Sequence, residues 1–202
     1  MRSNEQFPRT AHVVVALIVS FAIWAVMVFW TLAYLRRTAG GLEPFDLRPF
    51  GYTPAEARAL LYALSSIGRT YYADVQLQFD TAYPAVYALS RGLLLFWVTA
   101  PGRTATRPLP LLARLGLLLL PLATAWFDYF ENEGIAAMLA AGPQAGDELI
   151  ERTSFWTRAK SLADSRAACR GSGLSGRDAR SPRFIRSGFD AAPHRAAAYP
   201  AA

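Results

Sequence analysis

A short acidic stretch, "FDYFENE" at positions 127–133, holds the side chains best suited to chemistry. On a helix Asp128, Glu131 and Asn132 share one face, because steps of three and four residues return to the same side, whereas Glu133 points away. Carboxyl groups can serve as general acids or bases, or hold a hard cation. Since the stretch follows a leucine-rich run, three interpretations compete: a structural clamp between helices, a simple helix exit from a membrane, and a catalytic or ligand site.

A second polar stripe lies upstream, where residues recur in steps of 4, 3, 4 and 4 along one helical face. Its members are Gln76, Asp80, Tyr83, Tyr87 and Arg91, and Arg69 joins them if the helix is continuous. A lipid-facing surface does not carry such a stripe. It indicates either a bundle-interior face with hydrogen bonds between helices or one wall of a polar cavity.

Three apolar segments must position these residues. The uncharged run 13–35 exceeds the length needed to cross the roughly 30 Å hydrocarbon core and is too long for a cleaved leader. Segments 82–100 and 109–127 form the second and third predicted spans, and the third helix continues to about 141. We therefore predict an all-α polytopic membrane protein with three spans, and a fourth in an intact relative.

The other segments complete the predicted organisation. Residues 1–12 form the N-terminus, and 36–81 form an outer loop with an amphipathic helix at about 54–72. In that helix Thr53 and Glu56 make a capping box, and the apolar positions are Ala57, Leu60, Leu61, Leu64 and Ile67. A connector follows at 142–160, and 161–202 reads as a disordered basic tail. Because apolar character stops after Lys160, we hypothesise a frameshift or truncation there that replaced a fourth span.

Lysine and arginine density sets the predicted orientation. The 101–108 linker carries Arg103 and Arg107, and the N-terminus carries Arg2 and Arg9. Both are then cytoplasmic, and the 36–81 loop lies outside the inner (plasma) membrane. The GC-rich character of the composition suggests a bacterial source.

Composition argues against several functions. Seven arginines against three aspartates after position 160 supply +4 of the net charge of +6, so the basic balance is no nucleic-acid signal for the fold. The single Cys169 and the separated His12 and His194 give no metal or haem spacing. We expect no metal, no cofactor and no nucleic-acid partner. The expected partners are the lipid bilayer and other membrane protein subunits.

With the N-terminus in the cytoplasm, the two polar stripes lie at the same depth, near the outer face of the membrane. Arg36, Arg48 and Arg69 are then available from the loop as counter-charges. The predicted polar cluster comprises Arg48, Arg69, Gln76, Asp80, Tyr83, Tyr87, Arg91, Asp128, Glu131 and Asn132. If the cluster is catalytic, the acid/base candidates are Asp80, Asp128 and Glu131.

Several segments together resemble an uncharacterised family of small bacterial multi-pass membrane proteins. They are "LEPFDLRPFGYTPAEARALLYAL", "GRTYY", "FDTAYPAVYAL" and "FDYFENEGIAAML", within residues 42–160. The resemblance implies a four-helix membrane bundle with an outer-loop helix, and no chemistry. The matching positions are Arg48, Gly51, Tyr52, Arg69, Tyr72, Asp80, Tyr83, Asp128, Glu131 and Asn132. The chain departs from the pattern after Lys160, which suggests a missing fourth helix.

We favour a non-enzymatic role, in which the polar stripes hold the bundle together or face a partner. One alternative is a membrane-embedded enzyme that acts on a lipid or isoprenoid by carboxylate acid/base chemistry. The other is an accessory subunit of a transporter.

Overall fold

The computed structural model describes residues 9–100 and 109–173, with side chains described as far as Ser165. Over these residues the protein is all-helical, without a strand. Its helices are α1 (Thr10–Thr38), α2 (Pro54–Ala63), α3 (Ser65–Tyr71), α4 (Leu77–Val98), α5 (Leu111–Ala141) and α6 (Asp147–Gly173). A π-helical segment at Met27–Thr31 interrupts α1, and a second one at Tyr72–Gln76 joins α3 to α4. Short 3-10 turns lie at Phe45–Leu47 and Gly142–Gln144.

The four long helices pack in sequence, α1 against α4, α4 against α5, and α5 against α6. Among the described residues two helices are long and apolar enough to cross a membrane: α1, and α5 together with its terminal turn, Leu111–Gln144. Residues 82–98 of the predicted second span (82–100) lie in α4. This helix is not one of the two, since Arg91 and several tyrosines lower its apolar character.

The loop helix begins as its sequence predicts. The Thr53 hydroxyl accepts the backbone N–H of Glu56, and the Glu56 carboxylate accepts the backbone N–H of Thr53, which completes the capping box. The apolar stripe is correct up to Leu64 and wrong at Ile67, which is exposed. Ser65 has a φ of +56°, and this break between α2 and α3 turns Ile67 away from the core.

The main hydrophobic core lies under the loop, where α2 covers the ends of α1, α5 and α6. Phe45, Leu60, Leu61, Tyr72 and Ile135 are fully buried there. The core therefore joins segments that are distant in sequence, and it anchors the loop rigidly on the bundle.

The region after α5 differs from its prediction. The 142–160 segment is not a connector, because α6 begins at Asp147, where two acidic residues in the first turn favour a helix N-terminus. Nor does a basic tail begin at 161, since the helix continues to Gly173. A fourth long helix is thus present, but its sequence is too polar for it to count among the helices that could cross a membrane. Residues 174–202, on which the rest of the tail prediction falls, lie outside the described residues.

Candidate functional site

The acidic stretch is held by a lysine from the next helix. The Lys160 Nζ on α6 lies 3.0 Å from Asp128 Oδ1 and also pairs with Glu131 Oε2. The Thr157 hydroxyl, one turn earlier on α6, donates to Glu131 Oε1 at 2.7 Å. Glu131 is fully buried, and the Lys160 side chain is 22% exposed. Two carboxylates of α5 are therefore clamped by one ammonium group of α6.

A second chain of hydrogen bonds ties α4 to both α5 and α1. Asn132 Nδ2 donates to the backbone carbonyl of Asp80 at 2.7 Å, and Gln76 Nε2 donates to Asp80 Oδ2 at 2.8 Å. The other end of the Gln76 amide accepts from the Thr31 hydroxyl. Thr31 and Gln76 are the last residues of the two π-helical segments, so these irregular turns are bonded to each other.

The tyrosines of α4 continue the network toward α6. Tyr87 donates its hydroxyl to Asp128 Oδ2 at 3.2 Å, and the Tyr83 ring packs edge-on against the Tyr87 ring. The Arg91 guanidinium lies 4.7 Å from the centre of the Tyr87 ring and pairs with Asp164 of α6. Asp128 thus receives hydrogen bonds from both neighbouring helices.

These groups line a partly open cavity of about 250 Å³ that is bordered by α1, the Phe45–Leu47 turn, α4, α5 and α6. Its apolar wall comes mainly from α1 through Trp24, Met27, Val28 and Leu32, with Leu47 of the turn. Its polar wall carries Asp46, Asp80, Tyr83, Tyr87, Arg91, Thr124, Asp128, Lys160, Ser161 and Asp164. The structure therefore brings the stripe of α4 to a cavity wall, whereas Glu131 and Asn132 lie behind that wall.

Asp46 reaches the cavity from the loop, and a buried tyrosine holds it. The Tyr72 hydroxyl donates to Asp46 Oδ2 and accepts the backbone N–H of Phe45 at 3.0 Å. Burial raises the pKa of Tyr72 well above its ordinary value, and the nearby Asp46 carboxylate raises it further. The hydroxyl therefore stays protonated and remains a donor to Asp46.

The predicted counter-charges were wrong. Arg36 pairs with Glu43, the Nε of Arg48 donates to the Glu43 carbonyl, and Arg69 donates to the Leu61 carbonyl. Arg69 does not share the α4 face, because the π-helical segment at 72–76 changes the helical phase between them. Of the ten predicted cluster residues, Arg48 and Arg69 lie outside the network, and the other eight belong to it.

Lys160, Thr157 and Asp46 were not predicted. A signal for the first two was present, since Thr153, Thr157, Lys160 and Asp164 recur in steps of 4, 3 and 4 on α6. Asp46 had no comparable signal, because its position depends on how the loop folds over the core.

No protein-family model, curated protein or solved structure matches the chain. No set of three or more His, Cys, Asp or Glu side chains suited to a metal ion occurs within 9–100 and 109–165. Chemically, the site can hold charge between helices, exchange protons through carboxyl groups, or accept a small polar ligand in the cavity.

Proposed function

We propose that this chain is a polytopic protein of the bacterial inner membrane, with its N-terminus in the cytoplasm, and that its buried ionic cluster is an interhelical clamp. Large apolar side chains on the outer helix surfaces support membrane insertion. Phe29 and Trp30 of α1 are each 72% exposed, and Leu112 and Trp126 of α5 are exposed as well. A core helix of a soluble protein is mostly buried. In the most apolar 18-residue stretch of α1 only 17% of the residues are buried, and in that of α5 only 28%.

The packing of α1 supports its role as a retained span. Its C-terminal half carries Leu32 and Leu35, which are buried in the main core, and Met27 forms part of the cavity wall. Removal of this helix as a leader would expose that core and open the cavity. In the resulting topology α4 and α6, which are less apolar, are shielded by α1 and α5 or by a partner subunit.

The observation that carries the clamp is the position of Lys160 between Asp128 and Glu131. Removing one partner of a buried ion pair costs about 3–5 kcal/mol, because it leaves an uncompensated charge in a low-dielectric interior. The partial exposure of Lys160 places its contribution at or below the lower end of that range. The same pairing disfavours Asp128 and Glu131 as free acid/base groups.

Asp80 supports a second candidate, the lipid- or isoprenoid-directed enzyme. It lines the cavity, is 6% exposed, and has no ion-pair partner among the described side chains. One carboxyl without a positioned nucleophile or metal is a weaker basis than the clamp, so the clamp is our conclusion.

Charge-removing variants test the clamp. In protein purified in an uncharged detergent, Lys160→Met should lower the melting temperature, because it leaves two buried carboxylates without a counter-charge. Glu131→Gln should lower it less, because it removes one ion pair while Asp128 still balances Lys160. The matched control is Glu133→Gln, an exposed site two residues from Glu131 on α5. In the triple variant that adds Asp128→Asn and Glu131→Gln to Lys160→Met, stability should partly return because no charge is left unpaired.

Other results would reverse the conclusion. If Glu131→Gln and Lys160→Met melt like the control, the cluster is not a clamp. If Asp80→Asn folds normally but membranes that contain it lose a lipid conversion seen with the parent protein, the enzyme is the better assignment. The topology is tested separately with a reporter, active only in the cytoplasm, inserted in the 101–108 linker, where activity is expected.

A further inference from the structure

The cavity beside the clamp has an unbalanced set of charges. Lys160 pairs with Asp128, and Arg91 pairs with Asp164. No lysine or arginine among the described residues forms an ion pair with Asp46 or Asp80. The formal charge of the cavity wall is therefore −2, from four aspartates against one arginine and one lysine.

Glu131 makes the balance more negative, because it shares Lys160 with Asp128 from behind the wall. Asp80 is buried and Asp46 is partly exposed, and neither carboxylate has an ion-pair partner among the described residues. A carboxylate that has lost water contacts without gaining a counter-charge is costly, so this partly open site favours the binding of a cation.

Aromatic rings form the second element of the cavity wall. Tyr83 and Tyr87 lie edge to face with ring centres 5.1 Å apart, and Trp24 faces the same space from α1. The protein's own Arg91 guanidinium lies over one face of the Tyr87 ring, so this ring already takes part in a cation–π contact. Rings and carboxylates around one space are the combination that recognises alkylammonium groups, since the rings stabilise the positive charge without requiring hydrogen bonds.

The backbone next to the cavity is irregular on two sides. The π-helical segment of α1 supplies Met27 and Val28 to the wall, and the segment before α4 ends at Gln76, which bonds to Asp80. Single π-helical turns within α-helices occur frequently at functional sites. Here the two turns meet through the Thr31–Gln76 hydrogen bond, and Gln76 in turn donates to Asp80 at the cavity.

We propose that this cavity binds a small alkylammonium cation, with Asp46 and Asp80 as its counter-charges and Tyr83, Tyr87 and Trp24 around its alkyl groups. The volume of about 250 Å³ is below the ~300–1,000 Å³ of drug-sized sites, which limits the occupant to a molecule of about the size of choline or ethanolamine. A metal ion is a poorer fit, because the described residues offer no set of three ligating side chains. The cavity shares Asp128 and Lys160 with the clamp, but its proposed counter-charges, Asp46 and Asp80, form no ion pair in the clamp, and the proposal does not depend on membrane topology.

Calorimetric titration of the full chain in an uncharged detergent tests the proposal. Choline and ethanolamine are the probes, 3,3-dimethyl-1-butanol is the neutral isostere of choline, and sodium chloride is the inorganic control. We expect saturable binding of at least one ammonium probe, and at least about tenfold weaker binding of the neutral isostere. Asp80→Asn and Asp46→Asn should each weaken binding about tenfold, the effect of losing about 1.4 kcal/mol of attraction.

The matched control is Asp74→Asn, which removes the same charge from an exposed position in the Tyr72–Gln76 segment and should leave binding unchanged. If Asp80→Asn does not fold, Asp46→Asn decides, since Asp46 lies in a partly exposed turn. The proposal is overturned if neither ammonium probe binds, if the neutral isostere binds as tightly as choline, if sodium binds in place of both, or if the folded Asp46 and Asp80 variants retain full affinity.

Discussion

Helices α5 and α6 approach each other closely at Gly134, and adding one methyl group there should destabilise the protein. A Cβ on Gly134 would lie 2.1 Å from Oγ1, 2.6 Å from Cγ2 and 2.8 Å from Cβ of Thr153. Rotation of the Thr153 side chain cannot relieve the last of these contacts, because its Cβ is fixed to the backbone. Thr153 is 1% exposed, so the two helices must separate to accept Gly134→Ala.

Two opposing effects set the magnitude. Alanine in place of glycine in a helix interior stabilises by about 1 kcal/mol. Overpacking a well-packed interface costs about 1–3 kcal/mol, and contacts this short correspond to the upper end. The net loss is therefore about 2 kcal/mol. For a domain of this size, about 2–4 °C per kcal/mol predicts a melting temperature lower by about 4–8 °C.

Heat denaturation followed by circular dichroism in an uncharged detergent measures the change. Gly116→Ala is the matched control, because it lies on the same helix and its added methyl group would meet no atom within 4 Å. That control should keep or raise the melting temperature. Thr153→Ala removes Oγ1 and Cγ2, so the double variant Gly134→Ala/Thr153→Ala should lose less than the sum of the two single losses.

The reasoning fails if Gly134→Ala melts at or above the wild-type temperature. It also fails if Gly116→Ala is equally destabilised, since the cause would then be the glycine replacement itself and not the contact with α6. Strict additivity in the double variant would contradict the assigned contact with Thr153.

Two further predictions concern the loop. Gly51→Ala should destabilise the protein by about 1–3 kcal/mol, because Gly51 has a φ of +79° and an added Cβ would lie 2.6 Å from Ser154 Oγ. Chemical denaturation measures this loss. The control is Gly40→Ala, where φ is also positive but the added Cβ meets no atom within 4 Å, so it shows the cost of backbone strain without the contact. The backbone N–H and the hydroxyl of Thr53 lower the pKa of Glu56 in the folded protein. The ionised Glu56 carboxylate therefore stabilises the fold above its unfolded-state pKa, and this stabilisation is lost as pH falls through the lower folded-state pKa. The wild type should therefore melt above Glu56→Gln at pH 7, and the difference should vanish in acid; a constant difference would contradict this.

Local sequence signals predicted the start of the loop helix and the polar face of α4. The capping box depends only on residues 53 and 56, and the stripe from Asp80 to Arg91 depends only on helical spacing. Both are short-range patterns, and the structure shows the predicted neighbours in contact.

Long-range packing decided what the sequence could not predict. Three arginines, Arg36, Arg48 and Arg69, were the expected partners for Asp128. The partner is instead Lys160, because α6 packs along α5 and carries its ammonium group to the carboxylates. Ile67 followed the apolar period of α2, but the positive φ of Ser65 ended that period one turn earlier. The π-helical segments had no recognisable sequence signal, and they changed which residues share a face.

Lys160 is also the chain's only lysine, so the clamp contains the single side-chain amine of the protein. Side-chain acylation by an amine-reactive reagent, or cleavage by a lysine-specific protease, would report on this one position without any introduced probe. While α5 and α6 stay together, the ammonium group is engaged by two carboxylates and reacts slowly. The rate of modification therefore follows how often the two helices part, and it can be measured on the unaltered chain.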